Sequence, residues 1–316
     1  MIIGNGFDRK HKLNTCYSHF REYLVTNLLK DKSSKTYELR VPESSYLPDG
    51  GISYDEEEVV KFLVALIDGV DECDNSERKW SDLEKYLGEI DFSQIFDNYE
   101  DILDKEGDYD GFANVDLNSS ISSNLEIPIL KIKELFSDWI STINVEDSIE
   151  LMDFNELLLE DTLFLSFNYT NTLEVLYHQS EENICHIHGR STTGDIEFGH
   201  GNDSDYTDYY MTSYVGSEDD LSAIDRQLRK NTCGSFLKNI KFFKKIAASD
   251  IKNIYSFGFS YSEVDEYYLS KLMAFIDSDR VTWYLDNYDS DKEQQYVEIL
   301  YRNGFKGAFS SVNVEK

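Results

Sequence analysis

Short apolar runs that alternate with helix-period segments constrain this chain more than any other feature it has. Thr162–Phe167, Ile184–His188, Ile196–Gly199, Ile254–Gly258 and Val281–Leu285 are such runs, and helical patterns such as Tyr267 to Ile276 separate the later ones. Strands that alternate with helices imply an α/β fold with a mostly parallel sheet covered by helices on both faces. Ligands of such sheets bind beyond the carboxyl ends of the strands, so the residues that follow each run carry the functional information.

The first strand is Met1-Ile2-Ile3, which runs directly into the turn Gly4-Asn5-Gly6. Asn14 or Thr15 can then cap a helix whose apolar face is Tyr17, Phe20, Leu24 and Leu28, at spacings of three and four. From Asp31 onward the character changes. Asp55 to Asp68 reads as a helix carrying Val59, Phe62, Leu63 and Leu66, and Trp80, Leu83, Leu87 and Ile90 mark another. Asn98 to Ser123 is acidic and rich in Gly, Asn and Ser, which reads as a loop, and Ile132, Phe136, Trp139 and Ile143 define one more amphipathic helix. The expectation is a single domain over residues 1–316 with a helical insertion at about 31–145.

Composition excludes several classes. With 41% hydrophobic residues, 22 Tyr and 19 Phe but only 3 Pro, the chain is an ordered globule. A net charge of -31 repels phosphate backbones, and no Lys/Arg run exceeds a pair such as Lys244-Lys245, so direct nucleic-acid binding is not expected. Any phosphate site must then draw on backbone N–H groups. Cys16, Cys73, Cys185 and Cys233 form no CxxC pair, which speaks against a zinc ribbon or a disulfide scaffold. The sequence shows no signal peptide and no apolar stretch long enough for a membrane span, so no membrane association is expected and a cytoplasmic setting is. The acidic, Tyr-rich stretch Asp203 to Asp220 reads as an exposed loop, with a lid as the alternative.

Three motifs carry candidate chemistry. Gly4-Asn5-Gly6-Phe7-Asp8 joins a strand to a helix, where glycines let the backbone approach a pyrophosphate. The full GxGxxG form fails because position 9 is Arg, and a plain structural turn is the simpler reading. Ser166-Phe167-Asn168-Tyr169-Thr170 follows a second strand, and Asn168 can hold a ribose hydroxyl or a water, or merely cap a helix. In His186-Ile187-His188-Gly189, strand alternation places His186 and His188 on one face, and either imidazole can accept a proton near neutral pH or act as an ordinary hydrogen-bonded residue. Gly199-His200-Gly201-Asn202-Asp203 adds a third His, which opens a metal reading through His186, His188, His200 and Asp203, although no HExxH-type spacing supports it. Glu106–Gly111 faintly suggests a calcium loop, but its twelfth position is Leu117 rather than the required Glu.

Taken in order, these residues resemble the AbiH family of phage abortive-infection proteins. The resemblance rests on Ile2–Asp8 with His11, Leu13, Thr15, Tyr17 and Phe20, then Trp80-Ser81-Asp82-Leu83-Glu84, Ser166–Thr170, His186–Gly189, Phe198–Gly201 and Gly258–Asp265. The segment His11–Asn14 departs from the family, where a Gly and a Pro are usual. AbiH proteins are distantly similar to the sirtuin-like, Rossmann-like NAD-binding fold. That likeness implies pyrophosphate binding at Gly4, Asn5 and Gly6 and an adenosine side at Gly258 and Ser260; Phe7, Thr15 and Asp265 are further candidate cofactor contacts, and Asp8 can orient the nicotinamide end or merely cap its helix. It also implies Asn168 at the nicotinamide ribose and His188 as the catalytic histidine. The zinc cysteines of the sirtuin deacylases are absent, so the resemblance implies NAD hydrolysis at the nicotinamide–ribose bond, with NAD as substrate or ligand and no metal. A phage or host protein trigger and homo-oligomerisation stay open. Two other classes remain: a metal-dependent hydrolase or nuclease using His186, His188 and His200, and a non-catalytic nucleotide sensor whose acidity engages a basic partner protein.

Overall fold

Every pairing in the main sheet is parallel. The computed structural model describes residues 1–32, 36–69 and 80–314. Cys73 lies outside the described residues, as do the side chains of Trp80, Ser81 and Asp82. In chain order the strands are β1 (Ile2–Ile3), β2 (Ser44–Tyr46), β3 (Ile52–Tyr54), β4 (Phe164–Ser166), β5 (Ile184–His186), β6 (Asn253–Phe257), β7 (Thr282–Asp286) and β8 (Ala308–Val312). The main sheet has six strands in the order β5-β4-β1-β6-β7-β8. Numbered within that sheet alone this is 3-2-1-4-5-6, the doubly wound Rossmann-like order, whose direction reverses between β1 and β6.

Two compact units make up the chain. The first comprises Met1–Cys16, Ser137–Glu197 and Asn231–Lys316, and it contains the whole six-stranded sheet. Its central strand explains why the runs are apolar at every position. Ile2 and Ile3 are both buried, and they enter different clusters because successive side chains leave opposite faces of a strand. Ile2 joins Leu165, Ile254, Trp283 and Leu285 on one face. Ile3 joins Phe7, Phe154, Phe164 and Phe257 on the other. With both faces covered, neither parity of the strand can be polar.

The second unit comprises Tyr17–Phe136 and Phe198–Lys230. It holds the antiparallel β2–β3 hairpin and the helix Glu56–Asp68, which starts at Asp55, whose carboxylate accepts hydrogen bonds from the Glu57 and Glu58 N–H groups. Three expectations are corrected. Residues 98–123 are not a continuous loop, because Gly111–Ser123 is a helix capped by Asp110 in the same manner. Residues 203–220 run into the helices Thr207–Ser213 and Glu218–Leu228, the second burying Leu221, Ile224 and Leu228 at helical spacing. Ile196–Gly199 forms no strand. Gly199 has φ +147°, and a Cβ there would lie 1.8 Å from the Leu228 carbonyl oxygen, so this position serves a close backbone contact instead. Among the described residues, no helix is long and apolar enough to cross a membrane.

Candidate nucleotide site

The switch point between β1 and β6 is built by three glycines pressed against one another. Gly4 N–H donates to the Phe257 carbonyl at 3.0 Å and Gly6 N–H to the Gly258 carbonyl at 2.9 Å, which extends the β1–β6 pairing past the strand ends. A Cβ on Gly4 would meet the Gly258 oxygen at 2.5 Å, and one on Gly6 would meet the Gly258 Cα at 2.6 Å. Gly258 itself has φ +58°, and its Cβ would fall 2.1 Å from the Phe7 nitrogen. Backbone packing therefore accounts for these glycines. It also engages the Gly4 and Gly6 N–H groups expected to face a pyrophosphate, and the neighbouring Phe7 N–H is taken by the Gly4 carbonyl at 2.9 Å. The Phe7 ring packs in the core against His11, Phe154 and Tyr177, so this residue serves packing in the structure.

Asp8, one turn into the helix Asn5–Lys10, is buried. Its two carboxylate oxygens accept hydrogen bonds from Thr170 Oγ1 at 2.6 Å and Thr172 Oγ1 at 2.8 Å. These bonds tie the first helix to the segment that leaves β4. Burial pushes the Asp8 carboxyl up to about 6, against the pull of the two threonine hydroxyls, the nearby Asn168 amide and the charge of His186. Thr170 closes the motif that begins at Ser166 and Thr172 follows it by two residues, but neither carries a role in the sequence reading. Their partner is distant in the chain, and no local pattern points to it.

Asn168 follows β4 and is buried; its amide lies beside the Asp8 carboxylate without a well-formed hydrogen bond to it, and neither Oδ1 nor Nδ2 makes one elsewhere in the chain. Thr15 Oγ1 is likewise buried and unpartnered, while the Thr15 carbonyl accepts from Asn5 Nδ2 at 3.0 Å. Buried amides are nearly always satisfied, so an unsatisfied one in a native fold calls for a partner.

His188 is buried, with Nε2 3.3 Å from Asp265 Oδ1. Phe167, Tyr169 and Tyr268 surround the imidazole at centroid distances of 5.4, 6.0 and 5.5 Å. Asp265 lies in the first turn of the helix Glu263–Met273 and also accepts from Ser262 Oγ at 3.1 Å, while Ser260 is exposed. The expected pairing of His186 with His188 on one strand face does not hold. β5 ends at His186, and a turn closed by Gly189 N–H to the His186 carbonyl at 3.0 Å redirects the chain. His186 contacts Glu174 Oε1 through Nε2 at 2.9 Å and the Asn168 carbonyl through Nδ1 at 3.1 Å. Burial works against ionisation of Glu174, yet His186 and Arg190 hold its carboxyl below the usual range. In the second unit, His200 contacts the Asp225 carbonyl at 2.9 Å. Each of the three histidines thus has its own protein partners. Among the described residues, the one group of three or more ligand atoms close enough for a shared ion is Asp104, Glu106 and Asp108, all exposed and none a histidine.

A family model described as "Bacteriophage abortive infection AbiH" matches residues 1–287. No curated protein and no solved structure matches the chain significantly.

Proposed function

The chain belongs to the AbiH family of bacteriophage abortive infection proteins, and from that premise we propose that it binds NAD beside the β1–β6 switch point and hydrolyses the nicotinamide–ribose bond. This reading takes the AbiH fold as a distant relative of the sirtuin-like NAD-binding fold. The observation that carries it is the amide of Asn168, buried beyond the carboxyl end of β4 beside Asp8, with no well-formed hydrogen bond at either polar atom. Leaving a buried donor or acceptor unsatisfied costs about 1–3 kcal/mol, so a ligand hydroxyl or a water that supplies the missing bonds is favoured there. The 3-2-1-4-5-6 strand order supports the same location, because dinucleotides bind such sheets where the order reverses.

In the reaction the C1′–N bond breaks, nicotinamide leaves with the bonding pair, and water adds to the ribose to give ADP-ribose and a proton. Asn168 holds the ribose hydroxyl and the attacking water. His188 accepts the proton, and Asp265 orients the ring and stabilises its charged form, in the manner of a carboxylate–histidine pair. The glycines contribute the close approach of two backbone segments rather than donors. A phage or host protein serves as trigger in this reading, which makes activity conditional on infection.

The test follows nicotinamide release from NAD by the purified protein, and cellular NAD during phage infection. Asn168→Ala and His188→Ala are expected to slow nicotinamide release at least a hundredfold and to leave cellular NAD undepleted during infection. Rates equal to wild type in both variants overturn the proposal, and saturable NAD binding without turnover in either setting replaces hydrolysis by sensing.

A further inference from the structure

A cavity of about 410 Å³ in the second unit is walled by tyrosines and rimmed by carboxylates. Tyr206, Tyr209 and Tyr210 supply the aromatic wall. The Tyr210 ring centre lies 6.1 Å from that of Tyr206 and 5.8 Å from that of Tyr209, with planes inclined at 43° and 56°. The rings are thus inclined to one another rather than stacked, and of the three Tyr209 is the most exposed. Leu87, Ile224 and Leu228 form an apolar base. Glu89 and Asp91 stand exposed at the rim, and among the described residues neither has a cationic partner. Asp225 also lines the cavity, but Arg229 Nη2 at 2.9 Å and His200 Nε2 at 3.6 Å already face its carboxylate.

We infer that this cavity is a docking site for an arginine side chain on a segment of a partner protein. The chemistry of each part selects that occupant. Aromatic faces attract a cation through their quadrupole, and a planar guanidinium stacks on them better than an ammonium does. The apolar base suits the methylene stem of a long charged side chain. Two carboxylates without cations of their own supply the counter-charge; Asp91 Oδ1 already accepts from Ser93 N–H at 3.0 Å and Ser93 Oγ at 2.6 Å, which leaves its Oδ2 with Glu89 for the guanidinium donors. The net charge of -31 steers a basic segment toward such a surface and repels acidic competitors. The cavity volume falls within the roughly 300–1,000 Å³ of ligand clefts. None of this depends on the NAD reading, since every residue involved lies in the second unit.

Fluorescence anisotropy with the full chain tests the inference. The probe is a labelled eight-residue peptide of glycines and serines around a single arginine, compared with the same peptide carrying citrulline, its neutral isostere, and with unlabelled arginine amide. Saturable binding of the arginine peptide is expected at low salt, at least tenfold tighter than that of the citrulline peptide or of arginine amide. Tyr209→Leu is expected to weaken it about tenfold, and Glu89→Gln with Asp91→Asn about three- to tenfold. Tyr209 is 52% exposed, so its replacement leaves the fold in place, as far-UV circular dichroism verifies. The charge-matched pair Asp279→Asn with Glu293→Gln, outside the cavity lining, should change nothing. Equal binding of the citrulline peptide, equal losses in that control pair, or no saturation at about 5 mM peptide each overturns the site. Arginine amide binding as tightly as the peptide overturns the protein partner.

Discussion

His188 Nε2 stands 3.3 Å from Asp265 Oδ1, an approach that joins the turn after β5 to the first turn of the helix Glu263–Met273. A carboxylate placed so fixes the orientation of an imidazole and stabilises its cation. Asp265→Asn keeps the size but removes the charge. On the proposed NAD hydrolysis, it is expected to lower cleavage by roughly one to two orders of magnitude, less than the 10²–10⁴-fold that general acid–base catalysis typically supplies. The pH–rate profile should shift as well, because the imidazole loses its counter-charge. A profile and rate identical to wild type would remove Asp265 from the mechanism.

Asp8 makes stability depend on pH. Its folded pKa, about 6, exceeds that of an exposed Asp because the charged form is desolvated. The stabilisation this represents is complete below the unfolded value near 4, and it is lost as pH rises through about 6. Wild type should therefore lose on the order of 2–3 kcal/mol relative to Asp8→Asn between about pH 4 and 7. Paired urea unfolding curves at pH 4.5 and 7.5 measure it, and a constant difference between the two proteins would contradict the prediction.

The glycine crossing predicts a contrast between two alanine substitutions. Gly258→Ala places its Cβ 2.1 Å from a backbone nitrogen at φ +58°, where nothing flexible can yield. Gly107, at φ +88°, has nothing within 4 Å, so Gly107→Ala carries backbone strain alone, of order 1–3 kcal/mol. Gly258→Ala should fail to give folded protein, while Gly107→Ala should fold with a modestly lower Tm. Comparable melting of both variants would show that β1 and β6 can separate at no great expense.

In the second unit, Lys230 Nζ lies 2.7 Å from Glu84 Oε1, with the two side chains 1% and 5% exposed. Removing one member of a buried pair strands the other charge and typically costs about 3–5 kcal/mol. Lys230→Met should show that loss in urea denaturation, and the double variant Lys230→Met with Glu84→Gln should recover part of it. Full additivity of the two single substitutions would mean that the charges do not interact.

Local sequence determined five of the six strands of the main sheet, β1, β4, β5, β6 and β7, and much of the helix content. Ile2, Ile3, Phe164 and Leu165 had to be apolar at successive positions because both sheet faces are covered, and that demand is visible without coordinates. β8, Ala308–Val312, escaped the same reading because its side chains are half-exposed or exposed and its polar residues break the apolar run. The helix Gly111–Ser123 escaped it too, since its residues resemble a loop, although Asp110 carried the capping signal. The ordered motifs identified the family, because their order along the chain is itself sequence information. Tertiary structure alone decided that Gly4 and Gly6 abut Gly258, that Asp8 receives Thr170 and Thr172, that Asp265 meets His188, and that the Asn168 amide is left without a well-formed hydrogen bond. Such contacts join residues far apart in the chain. Periodicity reports only which face of its own element a residue occupies, and not what that face will meet.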